Sequence, residues 1–321
     1  MKSIRLLSVG FAVIAVLFAG LGYITAQDTA ATDLQATSGI WQGAVTLIEN
    51  WMSALQEQAA VIISYGIQNM DNDGKLGLEM CYALRERGVA VTYITQADYV
   101  GAPYLAEEVG ERIAQKMAAD GIEVITGQSV AAYHSEDEAV LDAVELADGH
   151  RISARMALST IGVLPTIDVI EDHGVDIDEE SDAVLANTQM QTNIPNIYAA
   201  GSVASVNGYI AHNSEQEVEQ GRIAALNMLG QNEEYTPFHG ELNTTLYDLP
   251  FAYFGASSEE KWTWEAGQYD YACVFLNNGV ISGAQLPGKA AEWGEGLFES
   301  QKSGETVDTT QLQQMLAPSK A

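Results

Sequence analysis

The sequence predicts an α/β fold built on a parallel sheet, followed by a unit of strands and turns. Two stretches carry that expectation. Residues Ala59 to Thr95 read as an apolar strand (Val61 to Ser64), a glycine-containing turn, a helix ending near Arg87-Gly88 and a second strand (Val89 to Thr95). From Tyr235 the texture changes to short strands separated by turn residues: Asn243 to Tyr247, Phe251 to Phe254, Tyr269 to Asn277 and Val280 to Gln285.

The β-α-β opening has the form of a dinucleotide-binding unit, in which the turn carries the chemistry. A helix N-terminus offers unpaired N–H groups and the positive end of a dipole to a pyrophosphate, and glycines let the backbone come close. The closest match to Gly-x-Gly-x-x-Gly is Ser64-Tyr65-Gly66, then eight further residues, then Lys75-Leu76-Gly77. Ser64, Gly66 and Gly77 are therefore the candidate residues around a nicotinamide dinucleotide, with strand-helix packing as the other account of the glycines. The insert carries Asp71 and Asp73, each opposing a nearby pyrophosphate by roughly 1 kcal/mol or more. Thr95-Gln96 stand at the end of the second strand, where an acidic residue would grip a ribose. No basic residue follows to select a 2′-phosphate, which favours NADH over NADPH.

The insert also has the spacing Asn69-x-Asp71-x-Asp73-Gly74, resembling the start of a calcium loop. The twelfth position, however, is Met80 where the closing carboxylate belongs. A solvated acidic turn is the expectation, with no metal site.

The rest of the chain follows in order. Met1 to Arg5, then the apolar run Leu6 to Ile24, reads as an export signal cleaved after Ala26 or as an uncleaved anchor over residues 6–24. The bulk of the chain is then expected to be exported, in a periplasmic or other extracytoplasmic space. Residues 27–58 are a polar linker and a lead helix with Val45, Ile48, Met52 and Leu55 at helical spacing. After the β-α-β come a helix (Tyr104 to Ala119), a strand (Gly121 to Thr126), a meander between Ser129 and Ile152, and a buried strand from Met156 to Ile161. Next are a strand from Ile197 to Ala200 and a helix opening at Gln220-Gly221-Arg222. Ala290 to Gln301 and Thr309 to Leu316 are the closing helices.

Against 44 acidic residues stand 14 basic ones, a formal net charge of −30. Such a surface repels nucleic acid and anionic membrane and suits a cationic partner or a saline habitat. The two cysteines, Cys81 and Cys273, form no Cys-x-x-Cys pair, and packing is the expected role of Cys81.

Residues from about 42 to 317 resemble the pyridine nucleotide-disulfide oxidoreductase superfamily, in the branch of NADH oxidases, coenzyme A-disulfide reductases and rubredoxin or ferredoxin reductases. The resemblance lies in Gly77-Leu78-Glu79, Ala83 to Gly88, Ala147-Asp148-Gly149, Ser159 to Thr166, Ile197 to Val203 and Glu219 to Ala224. Leu249 to Gly255 and Gly283-Ala284 are similar to the family's dimerisation domain. It implies a Rossmann-like FAD/NAD(P)-binding fold: an NAD(P)-binding-like domain (59–160), a partial flavin domain (161–232) and a C-terminal α+β dimerisation-like domain (233–321). It implies FAD and NAD(P)H as cofactors, hydride transfer to an unknown acceptor, a homodimer, and an electron-acceptor partner.

Glu79 resembles the family glutamate near the nicotinamide, an i,i+4 helix contact being its other account. Gly162 and Gly201 would flank cofactor. Ser202 stands where the family holds the ribityl chain with an aspartate; it brings no charge and a shorter reach. Residues 1–40 are too few to supply the family's first flavin half, so that half is expected to be absent or to come from another chain. The alternative reading is an exported, non-catalytic relative acting as a binding or scaffold module.

Overall fold

The computed structural model describes residues 59–64, 75–136, 140–160, 162, 165–170, 173–179, 181–211 and 213–315. The leader and lead helix, Gly66 and the acidic insert with its calcium-like spacing lie outside them. No helix among the described residues is long and apolar enough to cross a membrane.

Four parallel strands form the first sheet: β1 (Ala59–Ser64), β2 (Ala90–Thr95), β3 (Glu123–Ile125) and β7 (Met156–Ser159), in the order β3-β2-β1-β7. Period-2 alternation in β1 decides which residues face which layer. Ala60 and Ile62 point to a core shared with α1 (Lys75–Arg85) and α2 (Glu107–Ala119). Val61 and Ile63 point the other way, against Val144, Leu146 and Ala154 of the antiparallel meander β4 (Val130–His134), β5 (Ala143–Leu146) and β6 (Arg151–Ser153). Helix α1 buries Gly77, Leu78, Cys81 and Leu84, one stripe at 3–4-residue spacing. It closes with the Val89 amide donating to the Leu84 carbonyl at 3.1 Å.

The middle unit is a small sheet in the order β10-β9-β8, from β8 (Val184–Ala186), β9 (Ala204–Val206) and β10 (Tyr209–Ile210). Helix α3 (Ser214–Met228) packs beside it through Ile223 and Ala224. Here the sequence reading needs two corrections. The strand expected at Ile197 to Ala200 is reduced to a single bridge, Gln191 to Tyr198. Thr192 and Pro195 hold a tight turn between the two arms, with the Thr192 hydroxyl donating to the Ile197 carbonyl at 3.1 Å, so pairing stops after one residue pair. The helix expected at Gln220 begins at Ser214 instead. Asn213 caps it, its side-chain oxygen accepting from the Gln216 amide at 3.0 Å.

The C-terminal unit is a five-stranded antiparallel sheet in the order β11-β12-β15-β14-β13, from β11 (Gly240–Leu246), β12 (Leu249–Gly255), β13 (Lys261–Glu265), β14 (Tyr271–Asn277) and β15 (Val280–Pro287). The edge strand β13 was not read from the sequence; its alternation of exposed and half-buried residues carries little apolar signal. One sheet face, with Phe251, Cys273 and Phe275, joins the core of α1 and α2. The other, with Ala252, Val274 and Leu286, is covered by the closing helices α4 (Gly294–Ser303) and α5 (Thr309–Met315). Cys81 and Cys273, from units far apart in sequence, thus share one core.

Candidate functional site

In a parallel sheet the ligand crevice opens at the carboxyl ends of the strands, where successive connections leave in opposite directions. Here β1 connects to β2 on one side and has β7 on the other, so that crevice lies at the ends of β1 and β7. Ser64 ends β1. Thr160 follows β7, its amide donating to the Ile63 carbonyl at 2.8 Å, and exposed Gly162 comes two residues later. Helix α1 starts at Lys75, and Gly77 in its first turn lies against Thr160, so its N-terminus belongs to the same edge.

Gly77 is buried against that edge. A Cβ placed on it would meet Thr160 Oγ1 at 2.8 Å, Tyr93 Cε2 at 3.6 Å and Ile62 Cγ2 at 3.8 Å. This glycine lets α1 lie close on β1, β2 and the strand end at Thr160. Thr95 at the end of β2 is also committed locally, its hydroxyl accepting from the Ala97 amide at 3.2 Å.

Around the start of α1 the fold gathers charges that the sequence did not link. Lys75 Nζ donates to Glu241 Oε1 and Oε2 at 3.0 and 2.8 Å and to Thr244 Oγ1 at 2.7 Å, both from β11. Those three bonds use all three ammonium protons. Glu79, one turn further, is exposed as a residue, yet protein crowds its carboxyl enough that desolvation raises its pKa; nearby Lys75 opposes the rise and Glu241 adds to it. A carboxyl raised from its ordinary value beside Lys75 and Glu241 is suited to proton exchange.

The remaining predicted residues lie in the middle unit. Gly201 takes φ +83° in the turn before β9, and Ser202 is exposed beside it. Nothing stands within 4 Å of where a Gly201 Cβ would be, so the turn faces open space. The Gly201 amide donates to Gln220 Oε1 at 2.8 Å, while Gln220 Nε2 is buried without a partner among the described residues. Gln220 was visible in sequence as part of a helix motif, but nothing there marked it as a site residue. Elsewhere, burial pushes both thiols up, Cys273 to about 12, so neither cysteine supplies a thiolate near neutral pH.

The family model for pyridine nucleotide-disulphide oxidoreductases matches residues 74–223, from the start of α1 through the Gly201 turn and Gln220. Over those residues the chain matches this family. Pyridine nucleotide-disulphide oxidoreductases are NAD(P)H-dependent FAD oxidoreductases. The chain is 28% identical over 182 residues to an NADH oxidase of Methanocaldococcus jannaschii, covering 55% of this chain and 40% of that one. It is 27% identical over 176 residues to a rubredoxin-NAD(+) reductase of Acinetobacter baylyi, covering 55% and 42%. Among solved structures, the putidaredoxin reductase in a covalent complex with putidaredoxin shares the fold, with a TM-score of 0.68 at 20% identity over 85% of this chain and 66% of that one. The chain spans about 40% of the length of these two curated relatives.

Proposed function

We propose that this chain takes part in NAD(P)H-dependent, FAD-linked electron transfer, with nicotinamide at the β1–β7 crevice and flavin at the Gly201–Ser202 turn. The observation that carries the reading is the sheet order β3-β2-β1-β7, which brings Ser64, the N-terminus of α1 and Gly162 to one edge. When bound, the two cofactors supply the redox chemistry, a hydride passing from nicotinamide to flavin and electrons onward. The chain's own residues do the rest. Ser64 and the first amides of α1 hold phosphate oxygens. Gly77 keeps α1 close to the sheet, and Glu79 holds or releases a proton near the crevice. The Gly201 turn gives the flavin a backbone surface free of side chain, with Ser202 as a hydroxyl partner.

Both sites fit their groups in part. The open space before Gly201 and the unpaired buried amide of Gln220 suit a ligand bearing oxygen acceptors. At the nicotinamide crevice, the Lys75 ammonium is already neutralised by Glu241, so phosphate recognition there rests on backbone amides. Thr95 at the end of β2, with no cation beside it in sequence, favours NADH over NADPH.

The domain scheme that goes with this reading is an exported chain with leader 1–26, a nicotinamide unit (59–160), a flavin-side unit (161–232) and a self-associating C-terminal unit (233–321). The net charge of −30 favours an electron acceptor with a basic docking face. The test is an absorbance spectrum of the purified full chain incubated with FAD, desalted and mixed with NADH. A retained flavin band that bleaches on adding NADH is the expected result. A colourless protein that leaves NADH fluorescence unchanged overturns the reading and leaves the fold as a binding module.

A further inference from the structure

The C-terminal sheet meets the first unit along a seam that stays open at one end. Between residues 99–108, which lead from β2 into α2, and residues 257–261, which lead into β13, lies a cleft of about 390 Å³. That volume is within the range of small-molecule sites, which favour the boundary between two structural units. None of its lining residues belongs to the β1–β7 crevice or to the Gly201 turn.

The cleft has an apolar side and an acidic one. Leu105 and Phe275, buried in the core of α1 and α2, form the first. On the second, Glu107, Glu108 and Glu259 stand against a single cation, Lys261. Lys261 is paired with Phe275 across the β13–β14 ladder and reaches Glu108, its Nζ donating to Oε1 at 2.6 Å. The chain thus seats one alkylammonium of its own here, stem beside an aromatic ring and charge on a carboxylate. Glu107 and Glu259 are exposed and have no ion-pair partner among the described residues, so two negative charges are left over. Tyr99, whose hydroxyl donates to the Leu105 carbonyl at 3.0 Å, senses that balance. Desolvation raises its pKa first, the charges of Glu107, Glu108 and Asp98 raise it further, and Lys261 opposes them.

We propose that this cleft binds a small aliphatic amine in its ammonium form, the charge held by Glu107 and Glu259 and the alkyl body lying against Leu105 and Phe275. Lys261 competes with the ligand for Glu108 and sets how tightly it is held.

The probe is n-pentylammonium, titrated into the full chain at neutral pH and low salt, with the chemical shifts of the Leu105 methyls and the Tyr99 ring as the readout. Saturable shifts with a dissociation constant in the millimolar range, as a six-atom ligand allows, are expected. 1-Pentanol has the body without the charge and methylammonium the charge with hardly any body; each should bind at least tenfold more weakly. E107Q/E259Q alters exposed residues only and should weaken pentylammonium at least fivefold. E295Q/E299Q, which removes two carboxylates from α4 on the other face of the C-terminal sheet, should leave the affinity unchanged. K261M frees Glu108 and should tighten binding severalfold, the opposite of what a damaged seam would do. Equal losses in the two double variants would mean that the net charge of −30 gathers amines anywhere on the surface, and would overturn the assignment. Shifts that never saturate, equal affinity for pentanol, or weaker binding in K261M at an unchanged Tm would overturn it as well.

Discussion

Gly77 in α1 faces the Thr160 hydroxyl so closely that a single added methyl would stand 2.8 Å from the oxygen, while that hydroxyl donates to the Ile63 carbonyl at 3.2 Å. Helix, central strand and the end of β7 are thereby locked in one contact at the crevice. G77A should destabilise the protein by about 1–3 kcal/mol, the usual range for an overpacked contact. T160A alone costs about 1 kcal/mol for the lost bond. The double variant G77A/T160A should be more stable than the sum of the two predicts, because the colliding oxygen is gone. Urea unfolding of the four proteins reads the coupling; strict additivity would show that the helix shifts instead of colliding.

A second contact fixes the C-terminal sheet to the first unit. The hairpin between β11 and β12 turns on Tyr247 and Asp248, both at positive φ (47° and 61°), the backbone of a type I′ turn usually made by Asn and Gly. Tyr247 is 1% exposed, set edge-on to Tyr82 with centroids 5.9 Å apart and with Lys116 over its ring. Burial of the ring offsets the backbone cost. Its hydroxyl is buried without a bond of ordinary geometry, although Asp120 is close enough to act on its ionisation. Y247A should therefore cost about 3–5 kcal/mol, whereas Y247F should stay within about 1 kcal/mol of the parent or gain, since no bond is lost. Equal losses in the two variants would mean that the hydroxyl carries the contact.

How much of this was legible follows from sequence separation. The stripe Leu78, Cys81 and Leu84 and the alternation in β1 are local patterns, and they gave the β-α-β unit with its ends nearly right. Asn213-x-x-Gln216 is a capping pattern that was present and passed over, which displaced the start of α3. Lys75 with Glu241, and Tyr104 and Ala106 with Gln285, join residues more than 160 positions apart. No periodicity announces such a pair. Gln220 had a local address in a family-like motif, yet its unpaired donor exists only once the fold buries it.

Gln285 carries the polar part of the same seam. Its oxygen accepts from the amide of Ala106, the N-cap of α2, and its nitrogen donates to the Tyr104 carbonyl just before that helix, so both ends of one side chain hold the backbone that leads into α2. Q285L should cost about 1–2 kcal/mol, because two half-buried backbone groups lose their partners. Q285E keeps the acceptor for Ala106 but sets an oxygen against the Tyr104 carbonyl, so it should be at least as damaging at neutral pH. Hydrogen exchange at the Ala106 amide reports the event directly, and unchanged protection in Q285L would show that the bond is dispensable.

Glu79 ties the crevice to pH. Its carboxyl sits above the usual 4.5, through desolvation first, with Lys75 pulling it down and Glu241 pushing it up. The folded protein then holds that proton where the unfolded chain has released it, so stability falls as pH rises from the unfolded value through the folded one. E79Q removes this group and should flatten that part of the stability profile, leaving the variant at least as stable as the parent at pH 7. Solvent around this exposed residue keeps the effect small. E241Q should lower the Glu79 pKa and K75M should raise it, read by carbon-detected NMR titration of the carboxyl. If Glu79 exchanges a proton during turnover, the acid limb of the kcat profile must move the same way in both variants: towards lower pH in E241Q and higher in K75M. A shift of the carboxyl without a matching shift of the limb would confine Glu79 to a structural charge cluster with Lys75 and Glu241.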